Sequence, residues 1–316
     1  MLTETINLYP ERPDVTLTTY VLSDSTEMLN GKKRPGVLIC PGGAYLNCSD
    51  REAEPVAIRF AAMGYHAFVL RYSTYSNNQP GFFPVSSDLK VNPRSLYPAP
   101  LRDIAKAFLY LREHADDFLL DPERMAICGF SAGGHNCALY SVYWDKPVIT
   151  DYFKKDKELF RPAAAILGYP IGDYHLLAKA GSDPFAKLLF EASCMAYLGT
   201  KTPDEKMLDE VSPALHVTKQ TPPLFIWATF EDSLVPVENA TRLASACAAS
   251  DVPFEIHVFE SGPHGLSLAD QSTASSRMEI NEAAAQWVIL SETWLKRHFA
   301  LPLPEKPFWM QQLEHS

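Results

Sequence analysis

Gly129-Phe130-Ser131-Ala132-Gly133 lies between a short apolar run, residues 124–128, and a stretch of small and apolar residues, 132–143. The first reads as a buried strand and the second as a helix. A strand that enters a helix through one sharp turn holds the residue at its apex in a strained backbone conformation. Glycines two positions either side remove the Cβ atoms that would crowd such a turn. The apex residue here is Ser131. Its hydroxyl would stand above the carboxyl edge of a sheet, beside a helix N-terminus whose positive dipole end favours developing negative charge.

The rest of the chain supplies the strand–helix alternation that this junction requires. Residues 15–22 alternate apolar and polar and read as a half-buried strand, and 36–40, 65–71, 163–167, 224–229 and 254–259 read as further strands. Helical spacing marks 52–63, which stops at Gly64, and 99–115, 237–249 and 275–299. Repeated strand–helix units predict an α/β fold, a mostly parallel central sheet with helices on both faces. With 316 residues and neither an internal repeat nor a linker, one domain over 1–316 is expected. Two stretches break the rhythm: 73–98, rich in Pro, Ser, Asn and aromatics, and 171–215, partly helical from Asp183 to Leu198. Long insertions after strands of a parallel sheet tend to border its ligand site, so both are expected to be lid-like.

Composition removes several function classes. A formal net charge of −10 argues against nucleic acid or an anionic membrane surface as partner. Lys32-Lys33-Arg34 is the one compact basic run and reads as a solvated loop. No apolar segment approaches the roughly 20 residues that cross a bilayer. The first residues carry no leader pattern, which makes a cytoplasmic location the expectation. None of the six cysteines forms a C-x-x-C pair, and none of the nine histidines has metal-ligand spacing. No metal or other cofactor is therefore expected.

A serine hydroxyl becomes a nucleophile only when a base takes its proton, and a carboxylate must hold that base in the right tautomer. In chain order Ser–acid–His, the sequence offers Asp232 just after the strand 224–229 and His264 just after the strand 254–259. Asp232 could alternatively cap a following turn, and Glu231 is the competing acid. His257, inside a strand, reads as cross-strand packing, and His135, one helical turn past Ser131, as packing. Acyl transfer also needs N–H donors for the tetrahedral oxyanion. Ala132, directly after Ser131, is one, and the turn Cys40-Pro41-Gly42-Gly43-Ala44-Tyr45 should supply the others.

Four segments together resemble the α/β-hydrolase esterases of the acetyl xylan esterase and feruloyl esterase (BD-FAE-like) group, relatives of hormone-sensitive-lipase-type esterases. They are Cys40-Pro41-Gly42-Gly43-Ala44-Tyr45, Tyr97-Pro98-Ala99-Pro100-Leu101-Arg102-Asp103, Gly129-Phe130-Ser131-Ala132-Gly133-Gly134-His135 and Gly262-Pro263-His264-Gly265. The resemblance spans about 35–265 plus the last long helix. It implies Ser131 as nucleophile, Asp232 as acid, His264 as base, and Gly42, Gly43 and Ala132 as the oxyanion hole. Pro41 stands where the family's His-Gly-Gly-Gly form has histidine, so the choice among Gly42, Gly43 and Ala44 stays open. Asp103 is expected to be structural. The implied reaction is hydrolysis of short acyl esters, acetyl groups on plant cell-wall-derived oligosaccharides above all. Tyr45, Phe82, Phe83, Tyr169 and Phe230 are the candidate pocket walls. The partner is then a small-molecule or oligosaccharide ester, and a homo-oligomer stays open. Rival readings are an arylformamidase-like amidase, a general short-chain esterase, a prolyl-oligopeptidase-type peptidase and a non-catalytic receptor on the same scaffold.

Overall fold

The computed structural model describes residues 1–179 and 184–314. Its strands are β1 Thr5–Tyr9, β2 Arg12–Tyr20, β3 Arg34–Cys40, β4 His66–Arg71, β5 Leu120–Phe130, β6 Ala164–Gly168, β7 Leu224–Thr229 and β8 Phe254–Phe259. They form one eight-stranded sheet in the order β1-β2-β4-β3-β5-β6-β7-β8. The pairs β1–β2 and β2–β4 are antiparallel, and every pair from β4 to β8 is parallel. The expected mostly parallel α/β sheet is therefore present, with an antiparallel edge.

The helices are α1 Glu54–Ala62, α2 Ala99–Glu113, α3 Ala132–Tyr143, α4 Pro147–Phe153, α5 Tyr174–Lys179, α6 Pro184–Leu198, α7 Glu205–Glu210, α8 Glu238–Ala249, α9 Trp287–His298 and α10 Phe308–Glu314. β3, β6 and β7 are buried at every residue because helices cover both faces. Leu38, Ile127, Leu167 and Ile226 point to one face and pack with Ile104 and Phe108 of α2, Leu139 of α3 and Leu243 of α8. Val37, Ile39, Cys128, Ile166 and Phe225 point to the other, against Val56 and Phe60 of α1 and Trp294 of α9. Each such side chain contributes roughly 1.5–3 kcal/mol by leaving water.

Some elements differ from the sequence expectation. β1, α4 and α10 were not anticipated, because each is five to seven residues long and has too few repeats to declare a period. The helix expected over 275–299 is two short 3₁₀ turns, Arg277–Glu279 and Ala284–Gln286, followed by α9. A capping box between Ser276 and Glu279 closes the first turn locally. Asn281 then donates to the Ser261 carbonyl (2.8 Å) and accepts from the Ala284 N–H (2.9 Å), which tethers the chain before α9 starts. Of the two insertions, 73–98 has no regular element. Asn78 Nδ2 fastens it to the carbonyls of Asp14 (2.9 Å) and Tyr72 (2.7 Å), and Asp103 in α2 accepts from Ser73 N–H (2.7 Å) and Oγ (2.5 Å). The other insertion carries α5, α6 and α7. The expected helix start at Asp183 lies outside the described residues.

Candidate active site

Ser131 is the residue between β5 and α3, with φ 52° and ψ −121°. A non-glycine residue there stores roughly 1–3 kcal/mol of strain, so its surroundings must over-determine it. They do. The Ser131 N–H donates to Gly168 O at the end of β6 (3.0 Å), and the Ser131 carbonyl accepts from His135 N–H (2.8 Å). The turn also brings α3 hard against β3. A Cβ on Gly133 would lie 2.0 Å from Cys40 O and 2.4 Å from Pro41 O, so no other residue fits.

Parallel strands bring the distant residues to the same edge. His264 Nε2 lies 2.8 Å from Ser131 Oγ, and His264 Nδ1 lies 2.6 Å from Asp232 Oδ2. The carboxylate accepts the Nδ1–H, which leaves Nε2 as an acceptor facing the hydroxyl. The two readings of Asp232 turn out to be compatible: Oδ1 accepts from the N–H groups of Leu234 and Val235, both at 2.9 Å, while Oδ2 takes the imidazole. Glu231, the competing acid, instead accepts from Gly262 N–H (3.1 Å) and, with Thr229 Oγ1 donating to Gly262 O (2.8 Å), fixes the loop that carries His264. Burial works against a charged His264, but the charge and hydrogen bond of Asp232, helped by the charge of Glu52, outweigh it and raise its pKa above 6.5. His257 packs against Phe225 of the neighbouring strand and bonds Glu255 (2.9 Å).

The turn after β3 differs from expectation at one donor. Gly42 N–H is directed at Glu52 Oε2, 2.7 Å away, so it is already occupied. The N–H groups of Gly43 and Ala44 have no acceptor among the described residues, and that of Ala132 lies at the open first turn of α3. These three, not Gly42, are the free donors near Ser131. His135 does more than pack: its Nε2 is 2.7 Å from Val211 O and its Nδ1 2.5 Å from Tyr45 Oη. Sequence reasoning missed Glu52, since an acidic residue at the head of a helix reads as a dipole partner. No cluster of three His, Cys, Asp or Glu able to hold a metal occurs among the described residues.

Two cavities meet at Ser131 and His264. One, about 50 Å³, is lined by Ala132, Ile171, Leu177, Leu189, Phe190 and Val235. The other, about 450 Å³, is an open cleft with Asn47, Asp50, Arg51, Phe82, Phe83 and Phe185 on its sides. Both insertions thus contribute to the walls. Phe82 and Phe83 stand where a pocket wall is expected. Tyr45 and Tyr169 do not: both are buried behind the site, Tyr45 stacked on Tyr197 with its hydroxyl on His135, and Tyr169 with its hydroxyl on Glu52. Phe230 is 66% exposed and lines neither cavity.

A family model described as BD-FAE matches residues 29–247. The chain belongs to the BD-FAE family. Within this family member, Ser131 and Asp232 lie inside the matched stretch, whereas His264, β8 and α9 lie beyond it and are placed by geometry alone. The chain is 34% identical over 239 residues to endo-1,4-beta-xylanase B of Butyrivibrio fibrisolvens, covering 75% of this chain and 33% of that protein. The chain spans 33% to 56% of the length of the first four curated relatives it matches. Among solved structures, MGS-M1, an α/β-hydrolase enzyme from a Medee basin deep-sea metagenome library, is similar with a TM-score of 0.70 at 32% identity, over 95% of this chain and 99% of that one. An acetyl ester-xyloside bifunctional hydrolase from Caldicellulosiruptor lactoaceticus gives 0.70 at 30% identity, over 93% and 96%. The BD-FAE chain therefore has the α/β-hydrolase fold. No helix among its described residues is long and apolar enough to cross a membrane.

Proposed function

We propose that this BD-FAE family member is a serine esterase that removes short acyl groups, acetyl first, from the hydroxyls of cell-wall-derived oligosaccharides. The observation that carries the reading is the unbroken hydrogen-bonded series Ser131–His264–Asp232 at the edge of the sheet. In this mechanism Ser131 Oγ attacks the ester carbonyl while its proton passes to His264 Nε2. Asp232 holds the ring and stabilises the imidazolium. The oxyanion forms against the N–H groups of Ala132 and of Gly43 or Ala44, and loss of one such donor typically costs about 10²–10³ in turnover. Collapse breaks the ester C–O bond, and His264 returns the proton to the departing sugar oxygen. Water, with His264 again as base, then releases the acid from Ser131.

The cavities favour the substrate halves unequally. The apolar cavity of about 50 Å³ suits an acyl group of a few carbons, and a feruloyl group outgrows it unless Leu189 and Phe190 move. The wide cleft mixes polar groups with exposed rings, which suits a sugar. The name of the Caldicellulosiruptor enzyme, an acetyl ester-xyloside hydrolase, agrees with that division.

Hydrolysis of 4-nitrophenyl acetate, butyrate and octanoate, with acetate release from acetylated xylo-oligosaccharides, tests the proposal. Rates should fall steeply with chain length, and Ser131→Ala should remove activity by a factor on the order of 10⁶. Ester hydrolysis that survives in Ser131→Ala would overturn the nucleophile. Faster turnover of an N-formyl anilide than of any sugar ester would replace the alcohol half by an aryl amine.

A further inference from the structure

Glu52 is a buried carboxylate that the mechanism above does not use. It ends the 3₁₀ turn Asp50–Glu52, is 4% exposed, and sits beneath the turn after β3. Its Oε2 accepts from Gly42 N–H (2.7 Å) and its Oε1 from the Tyr169 hydroxyl (2.5 Å). Tyr169 Oη in turn accepts from the N–H of Ser267 (2.9 Å), three residues past His264, and its ring meets the His264 imidazole edge-on at 5.0 Å. A Cβ on Gly42 would fall 2.7 Å from Glu52 Oε2 and 2.9 Å from Ser131 Cβ, so the turn is pressed between the two side chains. No arginine or lysine pairs with Glu52 among the described residues. A buried carboxyl without a cation costs several kcal/mol, and an apolar side chain would fill the space at less expense. Fold stability alone does not account for it.

We propose that Glu52 is a positioning residue that ties the Gly42 N–H and, through Tyr169, the His264 loop to one carboxylate, so that Gly43, Ala44 and Ala132 are left aimed at the oxyanion. The inference rests on the esterase reading of Ser131. Its geometry makes Glu52 the hub between the donor turn and the base. Burial raises the Glu52 pKa, opposed by the hydrogen bonds from Tyr169 and Gly42 and by the charges of His264 and Arg51, and in its ionised form the carboxylate favours the imidazolium of His264. The titratable and charged groups facing Glu52 are Tyr169 at the end of β6, His264 after β8 and Arg51 in its own turn. Beyond these, Tyr72 follows β4 and Cys128 lies on β5, and burial keeps both neutral.

Two variants separate its hydrogen bonds from its charge. Glu52→Ala removes the acceptor of Gly42 N–H and should lower kcat on the order of 10²-fold with KM moved less than about threefold, since the donors act in the transition state. Glu52→Gln keeps an acceptor and should recover most of that loss. It removes the charge, however, so His264 becomes easier to deprotonate and the acid limb of kcat/KM moves to lower pH. Labelling of Ser131 by a fluorophosphonate, whose tetrahedral oxygen occupies the oxyanion position, should slow in Glu52→Ala in step with kcat. That readout does not depend on the substrate, so an error in the substrate assignment leaves it intact, whereas absence of labelling in the wild type would sink the esterase reading itself. Wild-type kcat and labelling rate in a folded Glu52→Ala would overturn the inference. If Glu52→Ala does not fold, Tyr169→Phe, which cuts the link from Glu52 to the His264 loop, should lower kcat and the labelling rate together, and wild-type values of both would overturn the inference.

Discussion

The two walls of the site are built by different physics. The inner wall is the elbow and the turn after β3, and polar groups there are held by directional bonds. Gly42 N–H donates to Glu52, the Tyr72 hydroxyl to Pro41 O (2.6 Å), and the Tyr45 hydroxyl to His135 Nδ1 (2.5 Å). Burial pushes His135 down to about 4, so the ring is neutral, and its Nε2–H donates to Val211 O. The outer wall is α5, α6 and the tip of the 73–98 insertion. It faces the cavities with Leu177, Leu189, Phe190, Phe82 and Phe185, apolar groups whose contacts have no preferred direction. Charge that develops on one oxygen needs donors fixed within fractions of an ångström. Excluding a longer acyl chain needs only bulk. The inner wall should therefore set the rate for every ester, and the outer wall should set which ester is turned over.

Asp232→Asn is the largest test of that division. An amide at this position donates to Nδ1 instead of accepting from it, so the imidazole presents an N–H to Ser131 and cannot take its proton. In a serine protease the corresponding change costs about 10⁴ in kcat. A loss on that order is expected here, and it should be the same for acetate, butyrate and octanoate esters. A loss that reordered the three esters would mean that the two walls are not separable.

The same division marks what was legible in the sequence. Apolar runs at strand length announced β3, β6 and β7, because a strand covered on both faces can hold little else. Ser131, Asp232 and His264 were readable as candidates because each sits in a turn just after a strand, and the structure brings the three within hydrogen-bonding distance. Glu52 was not, since its partner Tyr169 is 117 residues away and no local period encodes that contact. Nor did residue type reveal direction: Tyr45 and Tyr169 were expected in a pocket, and both are buried with their hydroxyls on His135 and Glu52. Gly42 was expected as a donor because nothing in the residue types shows that Glu52, ten positions on, takes its N–H.

The outer wall has an intermediate test. Phe190 on α6 closes the small cavity together with Leu189. Phe190→Ala should open room for two further carbons and raise kcat/KM for butyrate relative to acetate about 10-fold, the low end of what methylene-sized differences are worth. The acetate rate itself should change little. A fall in acetate turnover matching any Glu52→Ala effect would place Phe190 on the inner wall instead.

The smallest effect is expected at Phe82, and it asks whether the cleft holds the sugar at all. Phe82 is 44% exposed, so a sugar face laid on it would cover apolar surface without displacing other protein. If about 40 Å² is covered, the gain is about 1 kcal/mol, or roughly fivefold in affinity. Phe82→Ala should therefore raise KM for an acetylated xylo-oligosaccharide about fivefold and leave kcat unchanged, because the contact is equal in ground state and transition state. For 4-nitrophenyl acetate, whose alcohol half is a single small ring, KM should move less than for the oligosaccharide. Equal shifts for both would assign Phe82 to general packing of the loop. No shift for either would move the sugar away from the Phe82 side of the cleft, toward Phe185 and α6.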